Sequence, residues 1–400
     1  MKVVMTTSTF PARPGDGKAR FILDLAESIG EHAQVQVLAP HVAGARIRES
    51  IGGVRVRRFR YFWPADGQVL TSGAGMRENL GTWLGRIQAP SFVVSQAFVL
   101  LRVCRSFQPD VINAHWLVPQ GFVAALVRRL TGVPLVLHVH AADVYFLQRF
   151  PFGARIARFV VKASSEVLAD GSHVREALDS LIGSESGARL RPMGVRFSLF
   201  NEGSAQSGVN PTTHGRYIVF VGRLVEKKGV EHLIRAMTVV RNSEPDVDLI
   251  IVGSGPLDAE LRQLASDLKV EDSVHFQGAL EHEAVASLLR GSSVACVPSI
   301  IDSNGETEGM PTVVLEAMAS GSRVVGTSVD GIPDVLRDAD NGWLVEPADS
   351  QSLAAGLLAA LADPNGDEIA SRAADDAERH DWVAVGLEYT EALQRAVGVR

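Results

Sequence analysis

The sequence predicts an α/β protein of two doubly wound domains facing each other across a cleft, and three observations carry that expectation. The 400 residues exceed what one hydrophobic core usually organises. Short β-branched runs alternate with amphipathic helical stretches, the mark of parallel sheets with crossover helices. The alternation breaks once, near residues 200–214, where FNEGSAQSGVNPTTH is polar, rich in Gly, Ser, Asn and Pro, and without period.

Before the break the strands read KVVMTTS, VQVLAP, DVINAHW, LVLHVH and EVLAD; after it they read YIVFVG, DLIIVG, SVHFQG, SVACVPS, RVVGTS and GWLVEP. Domains are therefore expected at 1–197 and 198–380. A last helix within 381–400, around Trp382 to Gln394, is expected to cross back to the first domain. In such sheets ligands bind beyond the carboxyl ends of the strands, so the strand-end loops are where chemistry is sought.

The apolar share of 46% and charged share of 21% are those of a globular chain and exclude disordered and fibrous classes. The opening MKVVMTTSTF lacks the apolar core of a signal peptide, and no apolar run reads as long enough to span a bilayer, so a cytoplasmic protein is expected. Cys104 and Cys296 match no metal or disulfide spacing and read as buried, inert thiols. The net charge of -7 divides unevenly: residues 1–200 carry 24 Lys/Arg against 14 Asp/Glu, and residues 201–400 carry 15 against 32. Either the basic half faces an anionic surface or the split reflects arginine usage along the chain. No nucleic-acid partner is expected.

The second half carries most of the legible chemistry. VGRLVEKKGVEHLI sets Arg223 and Lys228 in a strand-to-helix loop, where two cations and a helix N-terminus suit a pyrophosphate; Lys227 reads as solvated. Gly253 in VGSGP lets backbone approach a phosphate or ribose, and Gln277 with Gly278 can offer backbone to a base. In ETEGMPTVVLEAMASG, Glu308 and Glu316 stand with seven residues between them. The amides of Gly309, Met310, Thr312 and Val313 can face an anion at the start of a helix. Glu316, among apolar neighbours, suits ribose hydroxyls or a core arginine, and Glu308 suits the hydroxyls of a sugar.

These motifs, GRLVEKKG, IIVGSGP, the glutamate pair and VDGIP, occur in the order of the retaining glycosyltransferases of family 4, and the chain resembles that family over nearly its whole length. The resemblance implies the GT-B fold, with two Rossmann-like domains. It implies a nucleotide diphosphate sugar, UDP- or GDP-type, held by the C-terminal domain, and a hydroxyl acceptor held by the N-terminal one. Arg223 and Lys228 match the diphosphate binders, Glu316 the ribose ligand, Glu308 the donor-sugar contact, and Asp330 to Pro333 a structural loop. LVLHVHAADVYF resembles the family's HGSD segment, which places His140 over the donor sugar with Asp143 beside it; His138 is assigned to the opposite face and the core. STFPARPGDGKARFILDLA and INAHWLVPQGFVAA resemble the exopolysaccharide and colanic-acid-like branch, with His115 and Trp116 on the acceptor side.

Two departures stand out. Gly15-Asp16-Gly17-Lys18 replaces the family's adjacent glycines, so the backbone contact expected at Gly15 and Gly17 differs locally; Pro311 replaces a glycine and removes one amide. The resemblance also implies transfer with retention, the leaving phosphate deprotonating the acceptor. No metal and no cofactor are expected, since Asp246-Val247-Asp248 lies at the amino end of its strand. The rivals are a sugar phosphorylase, a nucleotide-sugar epimerase and a silent sugar-nucleotide-binding protein of the same fold. Finally, GVRVRRFRYFW and FGARIARFVVKA set Arg55, Arg57, Arg58, Arg60, Arg155, Arg158 and Lys162 beside apolar side chains. They read either as a peripheral contact with an anionic membrane or as an arginine-rich strand edge and an ordinary surface helix.

Overall fold

The structure is a computed structural model that describes residues 1–13, 20–72, 76–202, 215–303, 305, 307 and 309–398, without the side chains of 77 and 78. The chain divides into two compact units. Unit 1 is Met1–Pro192 with Trp382–Arg400, and unit 2 is Met193–Asp381.

Unit 1 is built on β1 (Lys2–Thr6), β2 (Gln34–Pro40), β3 (Arg48–Ile51), β4 (Val54–Phe59), β5 (Val111–His115), β6 (Leu135–Val139), β7 (Glu166–Ala169) and β8 (Arg189–Leu190). They form one sheet in the order β3-β4-β2-β1-β5-β6-β7-β8. Only β3 pairs antiparallel, and the central strands are buried along their whole length, as strands covered by helices on both faces must be. The Trp382–Gly398 helix belongs to this unit: Gly386 packs so tightly on Ser28 that an added Cβ would overlap the serine hydroxyl, and Arg395 pairs with Glu166 at 2.8 Å.

Unit 2 carries β9 (Arg216–Val221), β10 (Val247–Val252), β11 (Val274–Gly278), β12 (Val294–Val297), β13 (Val324–Thr327) and β14 (Trp343–Val345), all parallel, in the order β11-β10-β9-β12-β13-β14. The order reverses direction between β9 and β12, the switch point where loops diverge and leave a crevice.

The expected boundary near 197 lies five residues late. Val195 bridges to Asp381, Phe200 is buried in the unit 2 core, and the Phe197–Asn201 helix is held by Arg290 Nη1 donating to the Leu199 and Phe200 carbonyls. No change of composition marks Pro192, so only packing sets the division. Most of the polar linker, 203–214, lies outside the described residues.

Among the described residues one helix, Trp83–Phe107, is long and apolar enough to cross a membrane by length and composition, which corrects the expectation that the chain has no such run. It nevertheless sends Phe92, Leu100 and Val103 into the unit 1 core. Cys104 and Cys296 are both buried, and burial pushes the Cys104 thiol up to about 11 and the Cys296 thiol further.

Candidate functional site

Polar side chains gather at the carboxyl ends of the strands in each unit. In unit 1 the sheet register builds the cluster, because His115 on β5 lies opposite His138 on β6, and Asp170 directly follows β7. His140 lies two residues beyond His138. In an extended segment that places both rings on the same face, and they stack at 4.5 Å with planes 9° apart, so the assignment of His138 to the opposite face is corrected.

The hydrogen bonds fix the proton positions. Asn113 Oδ1 only accepts, so His115 Nε2, 3.0 Å away, carries a hydrogen and His115 Nδ1 must accept. His140 Nε2 therefore donates to it at 3.0 Å, while His140 Nδ1 donates to Asp170 Oδ2 at 2.6 Å. His140 is then the imidazolium. Burial disfavours that charge, but the Asp170 carboxylate outweighs burial and raises the His140 pKa. Burial, reinforced by the neighbouring imidazoles, holds His115 well below its usual value. His138 is also lowered, with burial winning over the attraction of Asp170. Asp170 resists burial through its two histidines and stays well below the usual carboxylate range; Tyr389, from the Trp382–Gly398 helix, meets His138 Nδ1.

Three buried histidines within 4.8 Å of one another suggest a metal centre, but the donor set does not fit one. Their planes lie 9–27° apart, so the lone pairs run side by side, where a tetrahedral site needs them to converge. All six ring nitrogens already face partners: His138 Nε2 lies 2.6 Å from Asp170 Oδ1, and the other five are the contacts above.

Asp143, expected at the substrate, spends its carboxylate on backbone instead. It accepts from the Leu117 and His140 N–H groups and closes the amino end of the Ala141–Arg149 helix as a capping box. Burial pushes it up to about 6. Trp116 packs its ring 4.7 Å from His140.

In unit 2 the strand-end loops lock together. The Gly222 N–H donates to the Val252 carbonyl, and the Gly253 N–H donates to the Gly278 carbonyl at 2.8 Å. Gly253, at φ +143°, is needed because a Cβ there would lie 1.8 Å from the Gly222 oxygen. Its amide is thus engaged by the neighbouring loop, a packing role rather than the expected phosphate contact. Across the switch point, Gly229 packs against the Pro298 carbonyl, Ile300 N–H donates to the Lys227 carbonyl, and Glu226 accepts from the Ser303 amide and hydroxyl. Lys227, expected to be solvated, is half-buried and donates to the Thr307 carbonyl at 3.4 Å. Thr307 in turn donates to Asp330, and the Gly331 N–H donates to the Gly309 carbonyl.

This lattice of loops presents Arg223, which is exposed, and Lys228, half-buried, at the end of β9. The Thr312–Ala319 helix begins at Pro311 with no side-chain cap among the described residues, and Thr312 and Val313 form its half-buried first turn. Met310 is buried against Gly331, and Glu316 is half-buried rather than buried as its neighbours suggested. Asp246 pairs with Arg216, while Asp248 faces His275 and Arg241. Glu308, Gly15 and Gly17 lie outside the described residues.

Sequence reasoning passed over Asp170, Tyr389 and Asn113. An aspartate ending the apolar run EVLAD was the available signal for the first; nothing local marks the others, which act through the sheet register and a helix more than two hundred residues away.

A family model described as glycosyl transferase 4-like domain matches residues 16–194, and one described as glycosyl transferases group 1 matches residues 205–379. The phosphatidyl-myo-inositol mannosyltransferase of Mycolicibacterium smegmatis is 33% identical over 212 residues, 52% of each chain. The amylovoran biosynthesis glycosyltransferase AmsK of Erwinia amylovora is 35% identical over 141 residues, 35% of each chain. The matched stretch spans between 46% and 63% of the length of this mannosyltransferase and three further curated relatives. Among solved structures, sucrose-phosphate synthase from Thermosynechococcus elongatus superposes with a TM-score of 0.80 at 21% identity, covering 100% of both chains. HepE of Anabaena superposes with a TM-score of 0.74 at 21% identity, covering 98% of this chain and 100% of that one. At such identities the likeness speaks for the fold alone. With a 4-like domain in its first half and a group 1 domain in its second, the chain belongs to the family 4 glycosyltransferases and has their GT-B fold.

Proposed function

We propose that the chain transfers a sugar from a nucleotide diphosphate sugar, UDP- or GDP-type, to a hydroxyl acceptor, with retention at the anomeric carbon and without a metal. The observation that carries this reading is the array at the β9/β12 switch point, where Arg223, Lys228 and the start of the Thr312–Ala319 helix, without a side-chain cap among the described residues, stand at strand ends. Two cations and free helix amides neutralise a diphosphate as it leaves, so they stabilise charge where it develops. Family membership supports transfer, and the structures of Anabaena HepE, which shares the fold, hold UDP and UDP-glucose.

In this reading Glu316 accepts from the ribose hydroxyls and Glu308 from the sugar, and a leaving phosphate oxygen takes the acceptor proton on the same face. His140 meets the sugar as a donor, because both its nitrogens carry hydrogen; its Nε2–H reaches a sugar oxygen by exchanging its bond to His115.

The test is incubation with UDP- and GDP-sugars, reading melting temperature, sugar released and the anomeric configuration of product by NMR. A rise in Tm with one nucleotide class, slow release of the sugar and retained configuration are expected, all unchanged in EDTA. An epimerised sugar, or binding with no cleavage, overturns transfer; loss in EDTA restored by magnesium or manganese overturns the metal-free mechanism.

A further inference from the structure

Unit 1 holds a cavity of about 430 Å³ at the carboxyl ends of β1, β5 and β6. Its walls include Leu70, Phe92, Val118, Phe146, Leu147 and Phe150. Its polar edge is slight. Ser8 and Asp143 reach it, but the Asp143 carboxylate already accepts from two backbone amides. A pocket with so few hydrogen-bonding groups gains nothing from a sugar ring, whose hydroxyls would lose water without replacement. It gains from hydrocarbon. Trp116 belongs both to this wall and to the histidine cluster, so a ligand seated in the cavity ends beside His140.

We propose that this cavity binds the hydrocarbon chain of an amphiphilic acceptor and thereby brings the chain's hydroxylated head to the histidine cluster.

This rests on the transferase reading and names the acceptor class. A flexible chain is favoured over a compact aromatic group by the outer surface of the wall. The Trp83–Phe107 helix that lines the cavity with Ala89, Phe92 and Val93 turns Trp83, Ile87, Val94 and Phe98 to the outside. Phe150 lines the cavity and is itself 47% exposed, so apolar surface continues from inside to outside. Arg86, Arg102 and Arg105 are exposed on the same helix, and Arg102 lies 5.3 Å over the Phe98 ring. Apolar side chains flanked by arginines suit an amphiphile that leaves a lipid surface, where an aromatic solute dissolved in water needs none of them.

Calorimetric titration with farnesol, and separately with 2-naphthol, tests the proposal on the intact protein. Saturable one-to-one farnesol binding with a negative heat-capacity change is expected, since burial of apolar surface gives that sign. Val93→Asp, which puts a charge into the wall, and Ala142→Trp, which fills the cavity from an exposed position and does not burden folding, are each expected to weaken it about tenfold or more. No saturable farnesol binding, equal affinity in both variants, or tighter binding of naphthol than farnesol each overturns the chain. Farnesol binding by a protein that neither binds nor cleaves any nucleotide sugar upholds the cavity's ligand and overturns its role as acceptor.

Discussion

In unit 1 the polar side chains at the strand ends face one another, whereas in unit 2 Arg223 and Lys228 stand beyond the end of β9 on a frame of backbone hydrogen bonds. His115, His138, His140, Asn113, Asp170 and Tyr389 form a buried set in which five of the six ring nitrogens are hydrogen-bonded and the sixth, His138 Nε2, lies 2.6 Å from Asp170 Oδ1 without hydrogen-bond geometry. Arg223 and Lys228 instead ride on loops whose amides and carbonyls are bonded to neighbouring loops. A closed buried set contributes to stability and geometry, because removing one member strands the others. Cations presented by a rigid frame cost little to hold and act when an anion arrives. The two regions should therefore differ when perturbed: losing a member of the closed set lowers melting temperature, together with rate where His140 is displaced, whereas losing a cation of the unit 2 frame lowers rate with melting temperature little changed.

The largest effect is expected at the open site. Lys228→Ala or Arg223→Ala should lower kcat/KM for transfer by about 10²–10³, the usual cost of removing a donor to developing charge, with Tm little changed. An equal loss of Tm and rate would erase the distinction between the two regions.

Asp170→Asn tests the closed set. Removing one member of a buried ion pair costs about 3 kcal/mol, and the loss should depend on pH. His140 is raised above its ordinary 6.5, so the stability it draws from Asp170 is complete below that value and is lost as pH rises through its folded pKa. Asp170 is depressed from 3.8, so its share is present above that value and lost as pH falls. The Tm difference between wild type and Asp170→Asn should therefore be widest between these two values, and the His140 ring should titrate lower in the variant by NMR. A difference that widens above pH 8 contradicts the assignment of the imidazolium.

The smallest effect concerns the outer face of unit 1. Phosphatidylglycerol vesicles at low salt should sediment the protein, and Arg102→Gln should weaken this about fivefold, given roughly 1 kcal/mol per basic residue near an anionic surface. Retention on phosphatidylcholine vesicles alone would assign the contact to apolar side chains without charge. Within GVRVRRFRYFW the contribution is narrower than the sequence suggested. Arg58 is buried, pairing with Glu49 at 2.8 Å, and Phe59 and Tyr61 are core residues, which leaves Arg55, Arg60 and Trp63 exposed.

The sequence by itself determined the architecture, because period-two and helical patterns are local and the core needs them at every strand. It also determined the local grouping on which the proposed donor site rests, since GRLVEKKG and GMPTVVLEAMA place cations and helix amides within single loops. Asp170 and Tyr389 were not legible, because their partners are set by strand register and by a helix returning from the far end of the chain. The engaged amide of Gly253 was equally hidden, being bonded to a loop from another strand. Glu316 misled through its apolar neighbours: helical period turns them to the core and leaves the carboxylate half-buried. Only the tertiary structure decided which polar groups are satisfied from within. A hydrogen bond between residues distant in sequence carries no local pattern, so the partners of a buried polar side chain are fixed only when the chain folds.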